Sequence, residues 1–89
     1  MIIVSQNKAM IANFNNLTQI YITQDEEETA FFIRYETVDS LYDDLGEYKT
    51  EERAKEVLQE IITRYENWEN MKVGQPNGLC LPIYEMPEE

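Results

Sequence analysis

Eighteen carboxylates, one thiol and no imidazole are the groups with which this chain could do chemistry. Without histidine there is no Ser–His or Cys–His pair to activate a nucleophile. Cys80 stands in an apolar run with no lysine or arginine nearby to favour its thiolate, so it reads as a small core or interface residue. Glycosidase-type work needs two carboxyls at a set separation beside a sugar-sized cleft, and no pair here is singled out. Asp25-Glu26-Glu27-Glu28, and Asp39 with Asp43-Asp44, could hold a hard cation such as calcium. The D-x-[DN]-x-[DN]-G loop is absent, however, and solvated acidic loops are the simpler reading. Three scattered glycines make no phosphate-binding loop. No catalytic residue, metal ligand or cofactor site is expected, and the chain reads as a non-enzyme.

What remains is the placement of negative charge. Glu52, Glu56 and Glu60 step by four and form a column on one side of a helix. Neighbouring Cβ atoms in such a column are about 5–6 Å apart, and like charges there oppose helix formation by roughly 0.2–0.5 kcal/mol per pair. Adding Glu36, Asp39, Asp43, Asp44 and Glu47 gives a region dense in carboxylates. A protein imitating nucleic-acid phosphates would compete in this way for the basic groove of a nucleic-acid enzyme. Asp43, Asp44, Glu47, Glu52, Glu56 and Glu60 are therefore the candidate partner contacts. The alternative is a solubility surface, partly neutralised by Arg53, Lys55 and Arg64.

A long helix over about 50–70 must organise the rest. Ala54, Val57, Leu58, Ile61, Tyr65 and Trp68 fall at steps of three and four along one stripe. Thr50 is placed as its N-cap, Glu51 and Glu52 suit the positive end of the dipole, and Arg53 at the third position leaves the capping box incomplete. Glu51 with Lys55, and Glu60 with Arg64, have the spacing of ion pairs.

Short strands surround this helix. Residues 2–4 are an apolar run closed by a polar turn, and 10–14 form a second short strand. Asn13, Asn15 and Asn16 read as a turn. Residues 17–23 place Ile20 and Ile22 on one face and Tyr21 on the other. Residues 24–28 are a charged loop tip. In 29–37, Phe31, Ile33 and Tyr35 alternate with Phe32, Arg34 and Glu36, and the two strands make a hairpin. Residues 41–48 hold a further strand with a bulge or turn at Asp43-Asp44. After the turn cluster 74–78, the apolar run 79–84 contains Pro82 and so reads as an edge strand or arm. Leu79, Leu81, Ile83 and Tyr84 are the candidate self-association residues. Tyr21, Phe32, Tyr35, Tyr42, Tyr48 and Trp68 exceed what one small core needs, so some are expected at an interface.

These elements predict an α+β fold: an antiparallel sheet of four or five short strands packed on one helix, with a C-terminal edge strand or arm over about 79–89. Eighty-nine residues bound a single domain with one core, because a chain this short buries only about 60–65% of its unfolded surface. A hydrophobic fraction of 43% argues against disorder despite a net charge of −11. That charge repels nucleic acid and anionic membranes and attracts basic surfaces. The lone cysteine excludes an internal disulfide. The opening residues have neither the basic lead nor the apolar length of a signal or membrane span, which fits a cytoplasmic protein.

Two stretches carry a family likeness. IIVSQNKAMIANFNNLTQIYI and LGEYKTEERAKEVLQEII resemble a recurrent group of small phage and prophage proteins of Gram-positive bacteria, over about residues 1–64. The shared pattern runs I-V-S-Q-N-K, then N-F-N-N and I-Y-I, then L-G-E-Y-K-T-E-E-R-A-K-E-V-L-Q-E-I in this chain. The resemblance brings no catalytic motif. It implies a phage-borne gene acting inside a bacterial host, where small acidic proteins often inhibit nucleases or other defence factors, anti-CRISPR proteins among them. The expected function is an inhibitor that binds a basic, nucleic-acid-binding host protein. Two alternatives stand beside it. One is an oligomeric small-ligand sponge using Asn13, Asn15, Asn16 and the aromatics; the other is a phage assembly component that self-associates through the C-terminal arm.

Overall fold

The structure, a computed structural model, describes residues 1–27, 29–74 and 83–89, with helical side chains as far as Glu69. Its elements are β1 (Ile2–Val4), β2 (Ile11–Asn13), β3 (Leu17–Gln24), β4 (Phe31–Thr37), β5 (Tyr42–Tyr48), α1 (Glu51–Gly74) and β6 (Ile83–Glu85). The fold is α+β, as expected. The expected single sheet is instead two three-stranded sheets, ordered β2–β1–β6 and β3–β4–β5. The first pairs the two ends of the described chain, with β6 parallel to β1 and β2 antiparallel to it. The expected C-terminal edge strand is β6, and residues 79–82 lie outside the described residues.

The alternation in residues 29–37 becomes the central strand β4. Its inner residue Ile33 is fully buried, and Phe31, Tyr35, Ile20 and Ile22 pack around the same core. On β5, Ile33 faces Gly46 whereas Arg34 faces Asp44, so Leu45 is an extra residue in the ladder. That bulge bends the strand and buries two consecutive residues, Leu45 and Gly46. A Cβ on Gly46 would stand 3.0 Å from the Tyr48 ring and 3.3 Å from Met86 Cε, so any larger residue here would push these side chains by a few tenths of an ångström.

The helix begins as its sequence demands. Thr50 Oγ1 accepts the Arg53 N–H at 3.1 Å, and the Thr50 carbonyl accepts the Ala54 N–H. Thr50→Ala should cost about 1 kcal/mol in urea unfolding while Thr50→Ser costs little, because only the first loses the capping oxygen. Lys55 meets Glu51 at 3.0 Å. Glu60 is engaged by Tyr84 instead of the expected Arg64: the Tyr84 hydroxyl donates to it at 2.6 Å, and Arg64 lies over the Tyr84 ring.

One core joins these parts. It unites Met1, Ile3 and Ala12 with Ile33, Leu45 and Tyr48, with Ala54, Val57 and Ile61 of the helix, and with Tyr84 and Met86. Of the helical stripe, Ala54, Val57 and Ile61 are buried and Leu58, Tyr65 and Trp68 are half-buried. Phe14, Tyr65 and Trp68 form an aromatic row along the later helix, with centroids 4.8 and 5.7 Å apart.

Candidate interaction surface

Strand alternation that sends Ile33 and Tyr35 into the core sends Phe32, Arg34 and Glu36 to the opposite face of the β3–β4–β5 sheet. Register then sets their neighbours. Phe32 lies between Thr23 and Glu47, Arg34 between Tyr21 and Asp44, and Glu36 between Gln19 and Tyr42. The result is a sheet face where three aromatic side chains alternate with fixed charges.

Those charges are held by hydrogen bonds. Glu36 accepts from Gln19 Nε2 at 2.8 Å and from the Tyr21 hydroxyl at 2.9 Å. These two donors keep its carboxyl below the usual carboxylate range, and the same bond to Glu36 raises the Tyr21 phenol. Arg34 Nε donates to Asp44 Oδ1 at 2.8 Å, which strengthens its hold on the proton. The guanidinium also lies 4.9 Å from the centroid of the Tyr42 ring, a cation–π distance. This face therefore sets Glu36, held by Gln19 and Tyr21, beside Arg34, held by Asp44. Tyr42, 62% exposed, continues into the hairpin tip, where Val38 and Leu41 are also exposed and Ser40 adopts a φ of 64°.

The six expected contacts do not form one patch. Asp44 and Glu47 lie on the outer sheet face. Asp43 is opposite Tyr35, on the other side of the strand, and its Oδ1 accepts the Asp44 N–H. Glu52 and Glu56 are exposed on the side of α1 turned away from the core, with Glu56 held by Arg53 at 3.0 Å. Glu60, a turn later, leans toward β6 and Tyr84. The helix covers the inner face of the sheet, so its carboxylate column and the outer-face carboxylates point to different sides of the molecule.

The self-association candidates also separate. Leu79 and Leu81 lie outside the described residues, as does Cys80. Ile83 is 55% exposed, whereas Tyr84, at 5%, is part of its own chain's core. Asp25, a possible cation ligand by sequence, is spent on the loop: its carboxylate accepts from the Thr29 hydroxyl and N–H and the Ala30 N–H. Among the described residues, no three histidine, cysteine or acidic side chains are grouped to hold a metal ion. Asn13 caps the 3-10 turn Phe14–Asn16 by accepting the Asn15 N–H.

A second feature is an open cleft of about 730 Å³ where the first turn of α1, the end of β5 and the C-terminal residues meet. Gln6 is its organiser. It exchanges two hydrogen bonds with the Glu47 backbone, donates to the Glu88 carbonyl, and its own N–H reaches the Leu45 carbonyl. Tyr48 donates to the Pro87 carbonyl and Arg53 to the Glu89 carbonyl, so three side chains hold the last residues in place. Nothing in the sequence around Gln6 marks this role, since its partners lie 41 and 82 residues away. Arg34, by contrast, had a signal: a cation in the middle of an apolar alternation needs a partner on the polar face.

Among the described residues, no helix is long and apolar enough to cross a membrane. Comparison of the chain with family models, with curated proteins and with solved structures finds no match in any of the three.

Proposed function

We propose that this chain is a non-enzymatic interaction protein whose outer β3–β4–β5 face docks onto a basic surface of a protein partner. The observation that carries the reading is the array of Tyr21, Phe32 and Tyr42 around the fixed carboxylates of Glu36 and Asp44. Aromatic residues and arginine are enriched at protein interfaces, and their rigidity limits the entropy lost on binding. The seating of Arg34 on Tyr42 is the contact an incoming arginine would make with Tyr21 or Phe32. The net charge of −11 selects a basic partner and accelerates its approach. With the phage-type resemblance, this directs the reading to a nucleic-acid-binding or defence protein inside a bacterial host cell.

The test is capture of host proteins at low and high salt, followed by affinity measurement with the purified partner. Binding should weaken steeply with salt, and Glu36→Lys combined with Tyr42→Ala should lower affinity about tenfold or more. Charge reversal of Glu52, Glu56 and Glu60 should have the smaller effect. A salt-insensitive partner, or one lost only on helix reversal, would overturn the sheet-face assignment.

The cleft favours one other reading, a small polar ligand. Its size lies within the usual range for ligand sites, about 300–1,000 Å³, and its lining mixes Lys49 and Arg53 with Glu47, Glu88 and Glu89. Native mass spectrometry of protein from infected cells separates the readings, because a retained ligand supports the second and an unliganded mass counts against it.

A further inference from the structure

The two edges of the β3–β4–β5 sheet are treated very differently. The β5 edge has a bulge at Leu45, carries Asp43, Asp44 and Glu47, and gives its Leu45 and Glu47 backbone groups to Gln6. Such devices stop a strand from pairing with another chain. Edge strand β3 is eight residues long and has neither a charged residue nor a proline. Its one irregularity is at Thr18, near its start. The uncharged stretch reaches back through Met10, in a chain where 28% of residues are charged. Among the described residues, β4 is the only strand paired with it.

Beside this edge runs an open apolar cleft of about 360 Å³ between the sheet and the helix. Phe14, Leu17 and Ile20 form one wall, and Leu58, Ile61 and Ile62 the other. Ile62 is 44% exposed, one turn after the half-buried Leu58 and next to the buried Ile61. An edge with no second strand on it among the described residues, and with apolar positions alongside, is what strand addition requires.

We propose that a second copy of this chain occupies the β3 edge. Antiparallel β3–β3′ pairing joins the two sheets into one of six strands, with both α1 helices side by side on its inner face. A two-fold axis at Ile20 or Tyr21 sets inner-face residues opposite inner-face residues, so Ile20 and Ile22 of both copies stay on the core side. Charge permits this arrangement. Antiparallel pairing puts the acidic 25–27 loops at opposite ends of the ladder, roughly 27 Å apart for eight residues at ~3.4 Å each. That distance is several times the screening length of about 8 Å at physiological salt. On the helices, Lys55, Ile62 and Glu66 share one side, seven and four residues apart, so antiparallel apposition about Leu58–Ile62 brings each Lys55, which also holds Glu51 of its own chain, toward the other copy's Glu66. The two Ile62 side chains then cover each other. This inference does not use the outer sheet face and stands apart from the proposed function.

Sedimentation equilibrium and concentration-dependent hydrogen exchange test it on the full chain. The expected mass at micromolar concentrations is near twice the 10.6 kDa chain mass. Added salt should tighten the dimer, since it screens repulsion between two chains of charge −11; binding to a basic partner should respond in the opposite direction. Ile62→Lys, which keeps a good helix former at an exposed site, should weaken association about tenfold or more with unchanged helix content. In the unsubstituted chain, β3 amides should exchange more slowly as concentration rises while β6 amides do not. A monomer at every concentration and salt, or a dimer whose β3 exchange ignores concentration, would overturn the proposal.

Discussion

Replacing Ile33 by alanine should lower the unfolding free energy by about 2–5 kcal/mol, with an unchanged denaturant slope. Ile33 is fully buried at the middle of the central strand, where it meets the bulged pair Leu45-Gly46 and lies in one core with Val57 and Ile61. Truncation removes three carbons from a site enclosed by strands on two sides, and such a site cannot collapse to fill the void. Domains of this kind have only about 5–15 kcal/mol of stability, so one substitution takes a large share of the total. Ile33→Val should cost only ~0.5–1.5 kcal/mol, because it removes one methylene. The contrast with Phe32→Ala, on the outer face of the same strand, is the sharper check. If the two alanine variants were equally destabilised in urea, the assignment of inner and outer faces would be wrong.

Alkaline unfolding is the second large effect. Tyr48 and Tyr84 are 2% and 5% exposed, and desolvation is the main reason both phenols hold their protons above the ordinary value of 10. Tyr48 is pushed up to about 12, although nearby Arg53 acts in the other direction. Tyr84 is raised further because its hydroxyl donates to the Glu60 carboxylate, whose charge also opposes a phenolate. In the unfolded chain both ionise near pH 10; in the folded chain both stay neutral. The stability they contribute is therefore complete below pH 10 and is lost as pH rises from 10 through 12. Each group contributes a slope of about 1.4 kcal/mol per pH unit, so the pair can remove on the order of 5 kcal/mol across that window. Urea midpoints should hold steady to pH 9 and fall steeply by pH 11. Tyr84→Phe should make the slope clearly shallower by removing one of the two largest contributions; a flat profile to pH 12 would contradict the burial of both rings.

The helix and the central hairpin were legible because their signals are local. A stripe at steps of three and four, a threonine cap and a strict alternation over residues 31–36 are all written within a few turns of chain. The split into two sheets was not legible. It depends on β6 pairing with β1 across almost the whole chain, and no periodicity encodes which distant strand a three-residue strand selects. The same is true of Gln6, which ties the β5 backbone to the C-terminal residues. Aromatic excess correctly indicated that some rings lie outside the core, and only register showed that Tyr21, Phe32 and Tyr42 are those on the outer face.

The acidic helix side, where a functional role looked most direct, is the clearest case of that division. Sequence by itself determined that Glu52, Glu56 and Glu60 form a column, since α-helical spacing leaves no other arrangement. It also determined the −11 charge, the absence of imidazole chemistry, and the uncharged run through β3. Tertiary structure decided what faces what. It set the column on a different side from Asp44 and Glu47, gave Glu60 to Tyr84, and placed the uncharged β3 on an edge beside Ile62. The physical reason is range: helix spacing and strand alternation act over a few residues, whereas edges, faces and shared clefts exist only once distant segments pack around one core.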